Sequence, residues 1–156
     1  MDANVFRVEL EKFMDSESPN FVRNPYTIQE ANGMFSDALI VLASTIVPLV
    51  NAAVFPSAKL AYVNVASGMV MVVPGIAPTI FPSAMSAFAA SLVPGFQPVF
   101  TATPPMSPIN LLPIIGGAGY NLTNSQILDI FVPIVVNWFR TGVAVNVSTG
   151  VAVNWN

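Results

Sequence analysis

The chain has 156 residues, of which 54% are hydrophobic and only 8% are charged, whereas a soluble domain usually carries about a quarter charged residues. It contains no histidine and no cysteine, which excludes histidine-based acid–base catalysis, thiol nucleophiles, disulfides and metal sites built from those residues. We therefore expect one domain that acts as a structural or assembly protein, with no cofactor and no metal, and not as an enzyme.

The formal charges are crowded into the first part of the sequence. Seven acidic and three basic residues lie between Met1 and Asp37, and the charged residues after Asp37 are Lys59, Asp129 and Arg140. A chain with so little charge either sits in lipid or buries its surface against partner subunits. The net charge of −3 and the scarcity of lysine and arginine argue against a nucleic acid partner.

The first predicted element is an amphipathic helix over residues 5–14, in which Phe6, Leu10 and Phe13 fall on one stripe at helical spacing. Three turns of helix are marginal alone, and a polar connector with two prolines follows. We therefore predict that residues 1–24 form an arm and linker, and that the helix docks in assembly without belonging to the main core.

Residues 25–142 are predicted to form a single apolar helical domain. Thr27 and Glu30 fit a capping box, which predicts a helix that starts at Thr27 and ends before Pro48. Two later segments share the sequence Phe-Pro-Ser-Ala. Because proline is favoured in the first turn of a helix, they predict helices over 57–66 and 83–92.

A proline-rich stretch precedes the last helix. Residues 94–113 contain six prolines, which predicts an extended loop with polyproline character. The run 116–119 predicts a flexible turn, since it lacks the lysine of a phosphate-binding loop. The last helix is predicted to end at Arg140, with Pro133 kinking or shortening it and Gly142 as a cap beyond its end.

Residues 143–156 are predicted to form a C-terminal β-hairpin around Ser148-Thr149-Gly150, so the fold class is mainly α with a hairpin (α+β). Such an apolar hairpin either folds back over its own helices or adds strands to an adjacent subunit, and the sequence leaves both open. Simple alternation places six apolar side chains on one face: Val143, Val145, Val147, Val151, Val153 and Trp155.

The isolated charges of the helical domain are further candidates for an interface. Asp37 and Asp129 each interrupt an apolar helix, and a buried carboxylate is costly unless it is paired. We expect each of them either to be exposed or to pair with Lys59 or Arg140 across an interface. The complete set of interface candidates is Phe6, Leu10, Phe13, Val145, Val153, Trp155, Asp129 and Arg140.

Membrane insertion is the alternative hypothesis, in the form of a small pore-forming or holin-like protein. Between Asp37 and Lys59 lie 21 uncharged residues, close to the roughly 20 needed to span a bilayer. Prolines interrupt this stretch, however, and no cluster of lysine and arginine flanks it. These features favour assembly over insertion.

Several segments of the chain resemble small structural proteins of tailed bacteriophage particles. The resemblance covers most of the chain and implies a capsid- or tail-associated subunit that forms a symmetric homo-oligomer and binds other virion proteins. The opening residues lack the layout of a signal peptide, so we expect synthesis in the host cytoplasm and a final location in the virion. The resembling segments are Val5-Phe6-Arg7 with Phe13-Met14-Asp15-Ser16, Phe81-Pro82-Ser83-Ala84 through Gly95-Phe96-Gln97-Pro98, Thr103-Pro104-Pro105-Met106-Ser107-Pro108, Trp138-Phe139-Arg140-Thr141-Gly142 and Val153-Asn154-Trp155.

Overall fold

The computed structural model describes residues 1–70, 77–115 and 122–156. In this part of the chain six α-helices surround one core, and a small antiparallel sheet lies near the C-terminus. The predicted fold class, mainly α with a C-terminal hairpin, is confirmed. The elements are α1 Ala3–Met14, α2 Ile28–Ala43, α3 Phe55–Ala66, α4 Ala77–Leu92, β1 Phe100–Thr103, α5 Leu112–Ile115, α6 Asn124–Phe139, β2 Val143–Asn146 and β3 Ala152–Asn154. The predicted turn at 116–119 lies outside the described residues.

Side-chain caps determine where α2 and α6 begin. The Thr27 hydroxyl accepts a hydrogen bond from the Glu30 amide, as predicted. The Glu30 carboxylate, however, accepts from the amide of Tyr26 and not from that of Thr27, so only half of the predicted capping box forms. A complete box starts α6, where Thr123 and Gln126 bond each other's backbone amides. These bonds satisfy amides that the first turn of a helix leaves without partners.

Proline has different positions in the two helices that were predicted from the repeated segment. Pro56 lies in the first turn of α3, as predicted. In contrast, α4 begins at Ala77, so Pro82 lies inside the helix and the predicted start near residue 83 is wrong. Pro78, the second residue of α4, lies in the first turn, where a helix tolerates proline. Pro133 also lies inside its helix and does not shorten α6.

The core is continuous from α1 to the sheet. Phe35 of α2 lies at the centre of an aromatic cluster, with ring centroids 6.4 Å from Phe6, 5.5 Å from Tyr62 and Phe81, and 5.8 Å from Phe131. Burial raises the pKa of the Tyr62 hydroxyl well above its usual range. Because these rings come from five different helices, the cluster joins α1 to α2, α3, α4 and α6.

The position of α1 corrects the prediction of a docking arm outside the core. Phe6 and Leu10 are 0% exposed and Phe13 is 7% exposed, and α1 packs against α2 and α6. A helix of three turns needs an apolar surface to dock on, and the nearest such surface belongs to its own chain. The predicted stripe is therefore part of the core of the monomer.

The sheet has the order β1-β2-β3 and includes a strand that was not predicted. Part of the proline-rich stretch, expected to be extended loop, forms a 3₁₀ helix at Val93–Phe96 and then β1. Strand β1 pairs with β2 so that Thr101 lies opposite Val145 and Ala102 lies opposite Ala144. A strand can form in this proline-rich stretch because β1 lies between Pro98 and Pro104 and contains neither proline.

The hairpin forms, but its predicted faces are wrong because the register differs by one residue. The turn starts at Asn146, whose carbonyl accepts from the Gly150 amide at 2.8 Å and whose side chain accepts from the amides of Ser148 and Thr149. Gly150 has φ of 70°, the left-handed conformation of a β-bulge. The resulting register places Ala144 opposite Val153 and Val145 opposite Ala152. A shift of one residue exchanges the faces of a strand, so the valines of β2 and β3 lie on opposite faces.

Trp155 anchors the hairpin to the helices of its own chain. Its ring is 0% exposed and stacks against Phe96, with centroids 4.9 Å apart, and against Phe139, at 6.5 Å. Gly142 lies so close that a Cβ there would be 2.6 Å from the indole ring. Its φ is not positive, so this glycine admits the ring and is not the left-handed helix cap that was predicted. The hairpin therefore folds back over its own helices, whereas the addition of its strands to an adjacent subunit stays a prediction.

Candidate interaction surface

Nine of the thirteen charged side chains form ion pairs within the chain. Three of the pairs lie on one element or between close neighbours: Arg7 with Glu11 at 2.8 Å, Lys12 with Glu9 at 2.5 Å, and Arg23 with Glu30. Two others join separate helices, namely Arg7 of α1 with Asp129 of α6, and Lys59 of α3 with Asp37 of α2. The side chains of Asp37 and Asp129 are 58% and 61% exposed, so exposure, the first of the two alternatives, holds for each of them, and the pair that each forms lies within the chain.

Arg7 connects α1 to α6 through a small network. Its Nε donates to Glu11 at 2.8 Å, while one terminal nitrogen donates to Asp129 and the other to Ser125 at 3.1 Å. Hydrogen bonds to the Glu11 carboxylate, first from Asn20 and then from Ser18 and Arg7, hold the pKa of Glu11 below its usual value. The alternative that Asp129 pairs with Lys59 or Arg140 across an interface is wrong, because Asp129 bonds Arg7 of its own chain.

An open groove without any charged residue lies where the C-terminal half of the chain meets the α2–α3 connection. It has a volume of about 370 Å³. Its most exposed large hydrophobic side chains are Leu49, at 75% exposure, and Val99, at 55%. Val147, 63% exposed, adjoins the groove because its amide donates to the Val99 carbonyl at 3.0 Å. The lining residues of this uncharged groove are Pro48, Leu49, Val50, Asn51, Gly95, Phe96, Gln97, Val99 and Phe100.

The predicted interface residues are not brought together in one place. Four of the predicted interface residues are buried in the core of their own chain: Phe6, Leu10, Phe13 and Trp155. Their prediction as interface residues is wrong, because a buried side chain does not contact a neighbouring subunit. Val145 and Val153 are 36% and 39% exposed on opposite faces of the sheet. Asp129 is exposed beside Arg7, and Arg140 is exposed beside Asn137, at 3.5 Å.

The sequence did not allow us to predict that the residues of the uncharged groove form one exposed surface. Leu49 lies in an irregular connection, and Val99 lies in a stretch expected to be loop, so no periodic pattern marks either side chain as exposed. The available signal was the absence of formal charge from residues 38–58 and from residues 60–128. This absence predicts an apolar surface but does not locate it.

A second, polar pocket of about 420 Å³ lies near the end of α1, and Glu11, Asp15 and Glu17 line it together with Ser18, Pro19 and Ser125. Its carboxylates do not converge, since no group of three or more potential metal ligands of the acidic, histidine or cysteine type occurs in the described ranges. This pocket therefore offers no metal-binding geometry.

Comparison with known proteins found no matching protein family, no similar curated protein and no similar solved structure. In the part of the chain that the structure describes, no helix is both long enough and apolar enough to cross a bilayer.

Proposed function

We propose that this chain is a structural subunit that assembles by burying uncharged surface against neighbouring subunits, and that it belongs to the particle of a tailed bacteriophage. The observation that carries the assembly proposal is the uncharged groove with its exposed rim of Leu49, Val99 and Val147. The proposed partners are copies of the same chain and other virion proteins.

The energetic argument rests on side chains that a solitary monomer would leave in water. Fully burying a leucine or valine side chain is worth roughly 1.5–3 kcal/mol relative to leaving it exposed. Leu49, Val99 and Val147 together therefore offer several kcal/mol to an interface. No formal charge lies in the groove, so covering it does not require the removal of an ion from water, which is the largest cost of burying polar surface.

The charged residues support the same arrangement from the other part of the molecule. Seven acidic and three basic residues belong to the first 37 positions, and seven of these ten side chains form ion pairs within the chain. This part of the surface keeps its contact with water at little cost, whereas the groove gains from contact with protein. The absence of histidine and cysteine also favours binding over catalysis.

The proposal of a phage particle rests on the resemblance to virion structural proteins of the segments at 5–7, 13–16, 81–98, 103–108, 138–142 and 153–155. A shell or tail subunit is repeated many times in a symmetric array, and symmetric assembly buries the same surface on every copy. A subunit with a weakly charged exterior fits this role. Purified particles containing the chain in many copies would support the virion location, and absence of the chain from those particles would contradict it.

Leu49→Glu tests the assembly proposal, with Leu60→Glu as the matched control. Both leucines are well exposed, at 75% and 60%, but Leu60 does not line the groove. Sedimentation velocity without detergent should show wild type and L60E associating from the 16.6 kDa monomer as concentration rises, and L49E associating more weakly than either. Equal association of both variants would remove the groove from the interface. Recovery of the wild type only from the membrane fraction would instead favour the pore or holin-like alternative.

A further inference from the structure

Strand β3 leaves part of its backbone without partners. The Trp155 amide donates to the Gly142 carbonyl, and the Asn146 amide donates to the Val151 carbonyl, both at 2.9 Å. Val151 and Trp155 therefore direct their backbone groups toward β2. Because these directions alternate along a strand, Ala152 and Asn154 direct theirs outward, where they meet no hydrogen-bond partner in the described part of the chain.

The opposite edge of the sheet is protected in a way that β3 is not. The Val147 amide donates to the Val99 carbonyl, so the odd-numbered residues of the β1 segment direct their backbone groups toward β2. The even-numbered residues therefore direct theirs outward. Two of these positions are Pro98 and Pro104, which have no N–H to donate, and Ala102 between them is buried. Proline is a common device against pairing at an edge. Strand β3 carries neither proline nor charge.

The open part of the β3 edge is short and has a defined end on each side. At one end lies the bulged turn at Gly150. At the other end Asn156 is already paired with Val47, whose carbonyl accepts from the Asn156 amide at 3.0 Å. Between these limits lie the three residues of β3, and Val151 and Val153 stay 58% and 39% exposed beside them.

We propose that a second copy of this chain pairs with this edge, β3 against β3 in antiparallel orientation, around a two-fold axis at Val153. Ala152 of each copy would exchange backbone hydrogen bonds with Asn154 of the other, and the two Val153 side chains would meet at the close, non-hydrogen-bonded position. The two three-stranded sheets would become one sheet of six strands. This inference rests on the proposed assembly function and names the partner strand.

A second copy fits this edge better than an unrelated strand does. A longer strand would run into Val47 at one end and the bulged turn at the other, whereas β3 has the same three-residue length as the opening. The charges match as well, since the hairpin carries none and a charged partner would lose hydration without gaining an opposite charge. An isologous contact is also the commonest basis of a closed dimer.

Ala152→Pro and Asn154→Lys test this pairing, with Thr103→Lys as the matched control. Proline at position 152 removes an outward N–H and leaves the bonds to β2 in place. Thr103 and Asn154 lie in one cross-strand row, on either side of Val143 and at opposite edges of the sheet. All three variants should keep the circular dichroism and cooperative melting of the wild type, which separates loss of pairing from loss of folding.

The measurement is the dissociation constant of the dimer, determined by sedimentation velocity for the wild type and each variant. We expect A152P to weaken the dimer by about tenfold or more, the equivalent of the two hydrogen bonds lost across the two-fold axis. N154K should weaken it as well, because a charged lysine at the paired edge loses hydration on pairing, and T103K should match the wild type. Wild-type association that A152P and N154K leave unchanged, or that T103K weakens equally, would overturn β3 pairing while the assembly function stands. A wild type that stays monomeric at every concentration would overturn both.

Discussion

Gly142→Ala tests how tightly the hairpin is anchored to the helices. The added Cβ would lie 2.6, 2.8 and 3.0 Å from three atoms of the Trp155 ring, whereas carbon atoms in contact normally stand about 3.5–4.0 Å apart. The ring therefore has to move by about 1 Å. It cannot do so freely, because Phe96 and Phe139 stack against it. Overpacking of this kind usually costs about 1–3 kcal/mol.

The matched control is Gly33→Ala in α2, where a Cβ meets nothing within 4 Å. This change should stabilise the protein by roughly 0.5–1 kcal/mol, because glycine inside a helix costs that much relative to alanine. In thermal unfolding, G142A should therefore lower Tm by roughly 2–12 °C and G33A should raise it slightly, at about 2–4 °C per kcal/mol for a chain of this size. A G142A variant as stable as the wild type would refute the packing of Trp155 described above.

Two further predictions concern α1. Leu10→Ala should lower the free energy of unfolding by about 2–5 kcal/mol, since Leu10 is fully buried. Val8→Ala, at a site 38% exposed, should change it by less than about 0.5 kcal/mol. Equal effects of the two variants in urea titrations would mean that α1 is not part of the core. The pKa of Glu11 is lowered in the folded state, so its contribution to stability is present above the usual glutamate pKa of about 4.3 and is lost as pH falls through the folded pKa. Glu11→Gln should therefore be less stable than the wild type near neutral pH and should approach it below about pH 4, and a difference independent of pH would contradict this.

The helical elements were largely predictable from the sequence because their signals are local. The Thr27 cap and the first-turn Pro56 both mark helix starts that the structure has. The stripe of Phe6, Leu10 and Phe13 was also identified, but its partner was not. An amphipathic stripe shows that a surface is covered and does not show whether the covering surface belongs to the same chain.

The errors in the sheet have a different cause, since they depend on tertiary contacts. The faces of the hairpin are set by Gly150, and a one-residue bulge reverses a face without any change in the alternating pattern. Strand β1 was missed because its four residues lie between prolines, where the local preference is for extended loop. The uncharged groove was missed for a related reason, because Leu49 and Val99 become neighbours only after folding.

Hydrogen–deuterium exchange of dilute and concentrated protein, compared by peptide, tests the central claim that the uncharged surface is the one buried on assembly. Amides of the groove segments around Leu49 and Val99, and of the hairpin around Val147, should exchange more slowly in the concentrated sample. Amides of the polar connector around Glu17 and Asn20 should not change. Protection confined to that connector, or no change anywhere while the protein associates, would contradict the claim.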